Sequence, residues 1–192
     1  MISLSLARHV GLVLALASGA LSSAQAQAGT APAATGLAAD LLTDIAQLES
    51  KMLGLARAIP ADRYDWRPGT GVRSISEVLR HVAADNYLLP VLLGHAAPAA
   101  TGITADFKSA QAFEQRPLDR DQTIAQLERS FAHVKGALTG TAPARMSDKV
   151  TLFGQPASVQ YTWVLTATHL HEHLGQLIAY ARSNNVVPPW SK

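Results

Sequence analysis

Cysteine is absent from all 192 residues. That excludes disulfides, thiolate metal ligands and covalently attached haem, so the fold must rest on its core and on any ion its other side chains hold. Charge is sparse too: 16% of residues are Asp, Glu, Lys or Arg. No run of Lys or Arg would follow a phosphate backbone, which leaves nucleic acid out as a partner. The formal charge of +2 sets 16 basic against 14 acidic residues, and one of the basic ones, Arg8, lies in a segment expected to be removed. Apolar runs long enough to span a bilayer are missing. The run over residues 10–20 falls short of the roughly 20 residues that a stable helical span needs.

That short run has a different meaning. Arg8 and His9 precede it, and small residues follow, with Ala24-Gln25-Ala26 and Ala26-Gln27-Ala28 as Ala-x-Ala cleavage sites. The order predicts a secretory signal peptide over residues 1–28 and an exported protein, periplasmic or secreted, with no stable membrane span after cleavage. Residues 29–36 (GTAPAATG) read as a small-residue linker, and residues 37–192 as one domain. There are no internal repeats.

Apolar residues, 48% of the chain, recur mostly at helical spacing. Leu41, Leu42, Ile45, Leu48, Met52 and Leu55 give a first helix over residues 37–58, ended by Ile59-Pro60. Tyr64, Trp66 and Arg67 follow in a connection. The two aromatics read as core packing, with a site-lining role for Trp66 or Arg67 as the alternative. A second helix opens at Ser74 with a capping box, Ser74-Ile75-Ser76-Glu77. Its inward stripe is interrupted by His81 and Asp85, one turn apart, and buried polar groups need partners. Residues 94–119 form a long connection with a short helix near residues 108–115. That length allows helices two and three to be parallel neighbours. The third helix covers about residues 121–138; His133 falls outside its stripe and reads as solvated, and His95 as a surface or capping residue. Residues 146–157 read as extended with a turn at Gly154. A fourth helix follows over residues 158–183, stopped by Asn184-Asn185 and Pro188-Pro189.

The fourth helix carries the chemistry. In TATHLHEHLGQLIAY, three of the seven histidines fall within five residues. At about 100° per residue His169 and His173 share a face, continued by Gln176 and Tyr180, and His171 points to the opposite side. Two imidazoles at i and i+4 can close on one ion. His81 joins them as a third ligand if the second and fourth helices pack side by side; the plainer alternative is a His81–Asp85 hydrogen bond inside the core. Three imidazoles leave a tetrahedral ion one open position. Asp85 would line that position or support a ligand, Glu172 would border the site, orient a ligand or sit on the surface, and Gln176 would hydrogen-bond a ligand from behind or make a helix contact. His-Glu-x-x-His is not present, so a zincin reading fails.

At these residues the chain resembles the DinB-like (DinB/YfiT) family of metal-dependent proteins. HLHEHLGQLIAYARSNNVVPPW resembles the family's closing pattern, and WRPGTGVRSISEVLRHVAADNY the block that supplies its first histidine, so the likeness covers nearly all of the chain after the linker. The resemblance implies an all-α four-helix bundle of up-down-down-up topology with a long connection between helices two and three. It also implies one divalent ion on His81, His169 and His173. Zinc is the leading ion, with nickel, iron, copper and manganese able to occupy an imidazole-rich site. Some relatives transfer low-molecular-weight thiols or isomerise thiol adducts, and such thiols are chiefly cytosolic, which sets an exported chain apart. The reading that follows is a metal-dependent enzyme of hydrolase or transferase type acting on a small molecule, with Asp85 or Glu172 as proton acceptor. The alternative is a non-catalytic bundle, stabilised by its metal, that binds or senses. Haem in the bundle core is a third and weaker reading, and a homodimer is compatible with any of them.

Overall fold

The computed structural model describes residues 36–191 together with Met1. The signal peptide beyond Met1 and the linker up to residue 35 lie outside the described residues. Within them the chain is mostly helical, with five α-helices: α1 (Leu37–Ala58), α2 (Ile75–Leu92), α3 (Phe107–Glu114), α4 (Arg120–Thr139) and α5 (Val159–Ser183). A two-stranded antiparallel hairpin, β1 (Lys149–Leu152) and β2 (Gln155–Ser158), precedes α5. No described helix is long and apolar enough to cross a membrane.

Local chemistry sets the helix limits. Ile59 turns extended ahead of Pro60, at φ −74° and ψ 125°, which ends α1. The Ser74 side chain accepts from the Glu77 backbone N–H, and the Glu77 carboxylate accepts from the Ser74 N–H at 2.7 Å, closing the expected capping box on α2. Asp119 and Gln122 repeat the device on α4. At the far end of α5, Asn185 adopts φ 59° while Val186 N–H donates to Ala181 O and Asn185 N–H to Arg182 O. This is a Schellman ending with Asn in the position usually given to Gly. Gly175, inside α5, admits no close neighbour: an added Cβ would meet nothing within 4 Å.

The predicted stripes face inward. Ile45, Leu48, Met52 and Leu55 of α1, Val78, Val82 and Leu88 of α2, Leu127, Phe131 and Val134 of α4, and Trp163, Leu170 and Leu177 of α5 are all buried in one cluster. Each large side chain so removed from water contributes about 1.5–3 kcal/mol. Polar contacts identify the neighbours. Arg57 pairs with Glu128 and Glu49 with Lys135, between α1 and α4. Asn86 Nδ2 donates to Ser130 Oγ at 3.1 Å, between α2 and α4. His171 meets Asp44, between α5 and α1, and the rings of His81 and His173 lie 4.8 Å apart, between α2 and α5.

The remaining histidines differ from expectation in one respect. His95 is half-buried, with Nε2 3.0 Å from Thr141 Oγ1, in keeping with a role outside the site. His133 is half-buried rather than fully solvated: its ring tilts over Tyr87 at 5.3 Å, and its buried Nε2 has no hydrogen-bond partner among the described residues. Burial, with the charge of His95, lowers its pKa. The apolar stripe of α4 gave no sign of this, because Tyr87 comes from another helix.

Candidate metal centre

Helices α2 and α5 carry the site. Helical spacing stacks His169 over His173 on the face of α5 that meets α2, and the capping box fixes where α2 begins and so which of its residues face inward. The result is a convergence of ring nitrogens. His169 Nε2 lies 3.2 Å from His81 Nε2 and 3.0 Å from His173 Nε2. Asp85 Oδ2 lies 3.2 Å from His169 Nε2 and 3.5 Å from His81 Nε2. An ion about 2.0–2.1 Å from each nitrogen needs its ligands about 2.9 Å apart at right angles and about 3.3 Å apart in a tetrahedron. The two spacings around His169 Nε2 meet that requirement, the ligand atoms of all three rings lie within 4.8 Å of one another, and the set could hold a metal ion.

The hydrogen atoms argue more strongly than the distances. His81 Nδ1 lies 2.9 Å from Glu114 Oε1. Burial would raise the Glu114 carboxyl, but the hydrogen bond and charge of His81 and the charge of Arg73 outweigh it and hold the pKa below its ordinary value. Glu114 is therefore an acceptor and His81 Nδ1–H donates to it, which turns Nε2 toward the other two rings, where a neutral imidazole presents its lone pair. His173 repeats the arrangement. Gln176 Nε2 donates to Tyr180 OH at 2.9 Å, which leaves Gln176 Oε1, 2.8 Å away, to accept from His173 Nδ1–H. With the rings neutral, as metal ligands must be, two lone pairs and a carboxylate converge on His169 Nε2, which has at most one proton to give. Acceptors in excess of donors, in a half-buried setting, call for a cation.

Electrostatics agree. Burial lowers His169 to about 3, and His173, His81 and Arg73 add to the effect. Burial lowers His173 as well, opposed by its hydrogen bond to Gln176. The Asp85 carboxyl is raised to about 6, by burial first and by Glu114, against the pull of His81 and Arg73. Both partners of the His169–Asp85 contact are pushed toward their neutral forms, so in mild acid it is better described as a neutral hydrogen bond than as an ion pair.

Of the residues singled out in the sequence, His81, Asp85, His169, His173 and Gln176 are brought together. Glu172 is exposed on α5 and outside the converging set, which favours the surface placement among those open to it. Glu172 is three positions from His169, which turns its side chain about 60° away, enough to carry it away from α2. His171 faces α1, with Nε2 2.9 Å from Asp44 Oδ2 at the surface. Trp66 packs edge-on against Tyr180 at 5.3 Å and so backs the Gln176–His173 pair, which favours the packing role. Arg67 is exposed and binds Glu77 at 3.1 Å.

Sequence reasoning missed Glu114. It sits at the last residue of α3, held by Arg73 at 3.3 Å, while Arg80 Nε donates to its backbone carbonyl at 2.8 Å. Behind it, Arg67, Arg73 and Arg80 line an open cleft of about 500 Å³. No spacing rule connects residue 114 to residue 81; only the docking of α3 on α2 does.

Comparison with known proteins gives these features a context. The model of the DinB superfamily matches residues 44–177. Among solved structures, the chain is similar to a DinB-like protein from Bacillus cereus, at 13% identity and TM-score 0.64 over 78% of this chain and 93% of that one. It is similar to a conserved protein from Enterococcus faecalis at 15% identity and TM-score 0.64, over 78% of this chain and 97% of that one. A mutant of a mycothiol-dependent maleylpyruvate isomerase is similar at 15% identity and TM-score 0.60, over 73% of this chain and 60% of that one. At these identities the likeness is one of fold. No curated protein matches the chain.

Proposed function

This chain belongs to the DinB superfamily, and from that premise we propose that it binds one divalent metal ion through His81, His169 and His173 and acts as a metal-dependent enzyme on a small-molecule substrate. The observation that carries the reading is the excess of acceptors: His81 and His173 have their Nδ1–H groups engaged from behind, and their lone pairs converge with Asp85 on His169. A divalent ion held there supplies Lewis-acid polarisation of a substrate group or of water. Zinc leads on the donor set, with nickel, iron(II), copper and manganese as alternatives set by supply.

The chain's own residues divide the work. Glu114 and Gln176 hold two rings in one tautomer and one orientation. Asp85, with its carboxyl raised to about 6, is suited to take up a proton near neutral pH and release it again. A hydrolase- or transferase-type reaction uses both functions. The thiol-dependent isomerase of similar fold offers another chemistry, but an exported chain would be separated from cytosolic thiols. Export itself is proposed from the N-terminal pattern, and N-terminal sequencing of the native protein, beginning at Gln27 or Gly29 rather than Met1, is its check.

The same reading covers the architecture: α1, α2, α4 and α5 form a four-helix bundle, up-down-down-up, with residues 93–119 as the long connection. The contacts support it. Asp85 meets His169 while His81 reaches both His169 and His173, as in antiparallel neighbours. Partners rise together from Asn86–Ser130 to His95–Thr141, as in parallel α2 and α4.

A second reading comes from Asp85. Its Oδ2 is near enough to the rings to serve as a fourth protein ligand, which would close the coordination and favour a structural ion over a catalytic one. Elemental analysis of purified protein decides both points. About one divalent ion per chain is expected, lost in His81→Ala, His169→Ala and His173→Ala and retained in Asp85→Ala. Unchanged metal in all three histidine variants would sink the site. Loss in Asp85→Ala would favour the structural ion.

A further inference from the structure

The hairpin that precedes α5 ends in a residue its turn does not favour. Leu152 pairs with Gln155, so Phe153 and Gly154 alone make the turn, at φ 50° and 78°. A two-residue hairpin turn with both φ values positive normally takes Asn, Asp or Gly at its first position, and a bulky side chain there is strained. Core packing does not account for the exception, because Phe153 is 61% exposed. Its ring stands edge-on to Phe107 at 6.4 Å, and Phe107 and Tyr161 are themselves 49% and 55% exposed. A strained backbone and an exposed aromatic cluster occur at the same residue, and strain that packing does not require is a pointer to function.

The surroundings of Phe153 say what that function is. Its ring forms a wall shared by two hollows. One, about 250 Å³, lies against Leu88, Leu92 and Phe107; the other, about 590 Å³, against Tyr161, Leu165 and Pro156. Small-molecule sites occupy about 300–1,000 Å³. Both hollows also lie along the two helices that carry the metal centre. Leu88 is three residues beyond Asp85 on α2 and Leu165 four residues before His169 on α5, about 4.5 and 6 Å along their axes. The Asp85–His169 contact therefore lies about one helical turn from Leu88 on one helix and from Leu165 on the other. A flat patch awaiting a protein would not have two hollows meeting at one residue.

We propose that Phe153 and the two hollows beside it are the apolar half of the substrate site, so that the substrate carries an aliphatic or aromatic group next to the polar group that meets the ion. The inference rests on the metal-centre reading above and adds the substrate's chemical class. Phe153 is a specificity determinant here, and the strain in its turn is accepted for the sake of that contact.

Two hydroxamates that differ only in their apolar part test it by calorimetric titration of the full zinc-loaded chain. Acetohydroxamate offers a metal-binding group alone, and benzohydroxamate adds a phenyl ring. The expected result is that benzohydroxamate binds about tenfold or more tightly than acetohydroxamate, since burying a ring of that size is worth at least one decade in affinity. Phe153→Asn places the residue the turn prefers, so it should fold with an unchanged or higher Tm and the same zinc content. It should bind acetohydroxamate as the wild type does and lose most of the preference for the phenyl ring. Equal affinity for the two hydroxamates in the zinc-loaded wild type, or a preference untouched by Phe153→Asn, overturns the inference and leaves the metal centre standing. A chain that takes up no zinc fails the underlying reading instead. If sedimentation shows a dimer that Phe153→Asn dissociates, the cluster is a self-association face and the inference falls.

Discussion

His169 and His173 face α2, and His171, between them in sequence, faces α1. Nothing in the local sequence makes His171 a poorer ligand. The difference lies in what each nitrogen meets. His171 Nε2 stands 2.9 Å from a lone carboxylate, Asp44, with its own side chain 55% exposed, so one N–H and surrounding water satisfy the pair. On the inner face Nε2 meets other lone pairs, and Glu114 and Gln176 take up the only protons that could have answered two of them. A histidine cluster becomes a candidate metal centre when its hydrogen bonds are used up behind it.

Three measurements would break or sharpen this contrast. The largest effect is expected from the carboxylates behind the rings. Glu114→Gln keeps the shape of the inner support but weakens its hold on His81, and loss of such support typically lowers metal affinity about 10–100-fold. Asp44→Asn makes the same change behind His171 and should leave affinity unchanged; zinc competition against a chromogenic chelator reads both. Equal effects of the two substitutions would erase the distinction between the faces.

Acid should reveal the next difference, in the metal-free protein. His169, ordinarily near 6.5, is lowered to about 3 in the fold. Between those values the unfolded chain holds a proton that the native one does not, so stability falls as pH drops below 6.5 and levels out near 3. His173, His95 and His133 are lowered too and act in the same sense. Asp85, raised from 3.8 to about 6, acts in the opposite sense between those two values. Urea unfolding from pH 7.5 to 4.5 should show a net loss toward acid that is shallower in His169→Gln. An identical slope in that variant would remove His169 from the account.

The smallest effect belongs to the outer face. Gly175 lies exposed within α5 with space around it. Gly175→Ala should therefore stabilise the protein by about 0.5–1 kcal/mol through helix propensity and reduced freedom of the unfolded chain. Thermal unfolding should show a rise of about 1–4 °C. A fall would mean that this face is covered in the working protein.

Features that depend on neighbours in sequence were legible before the structure was seen. The limits of α1, the capping box of α2, the turn at Gly154 and the orientation of His169, His171 and His173 follow from periodicity and end chemistry alone. Features that depend on a distant segment were not. The burial of His133 comes from Tyr87, 46 positions earlier, and the tautomer of His81 from Glu114, 33 positions later. Glu172 illustrates the converse: 60° of helical rotation is a short distance on paper, but it separates a side chain facing α2 from one facing water. Close packing is the usual reason for a glycine inside a helix, and the open space around Gly175 removes it there.

The position of Glu114 on α3 bears on how far the long connection could be remodelled. A shortened chain, with α2 joined to α4 by a tight turn, would keep His81, Asp85, His169 and His173 and would still read as a complete ligand set. It would lack the carboxylate that tells His81 which nitrogen to present, and the anchor points on Arg73 and Arg80 would have nothing to hold. Residues 93–119 are in that sense less a spacer than a detachable key, and a minimal version of this protein would have to carry the key's last residue on some other element.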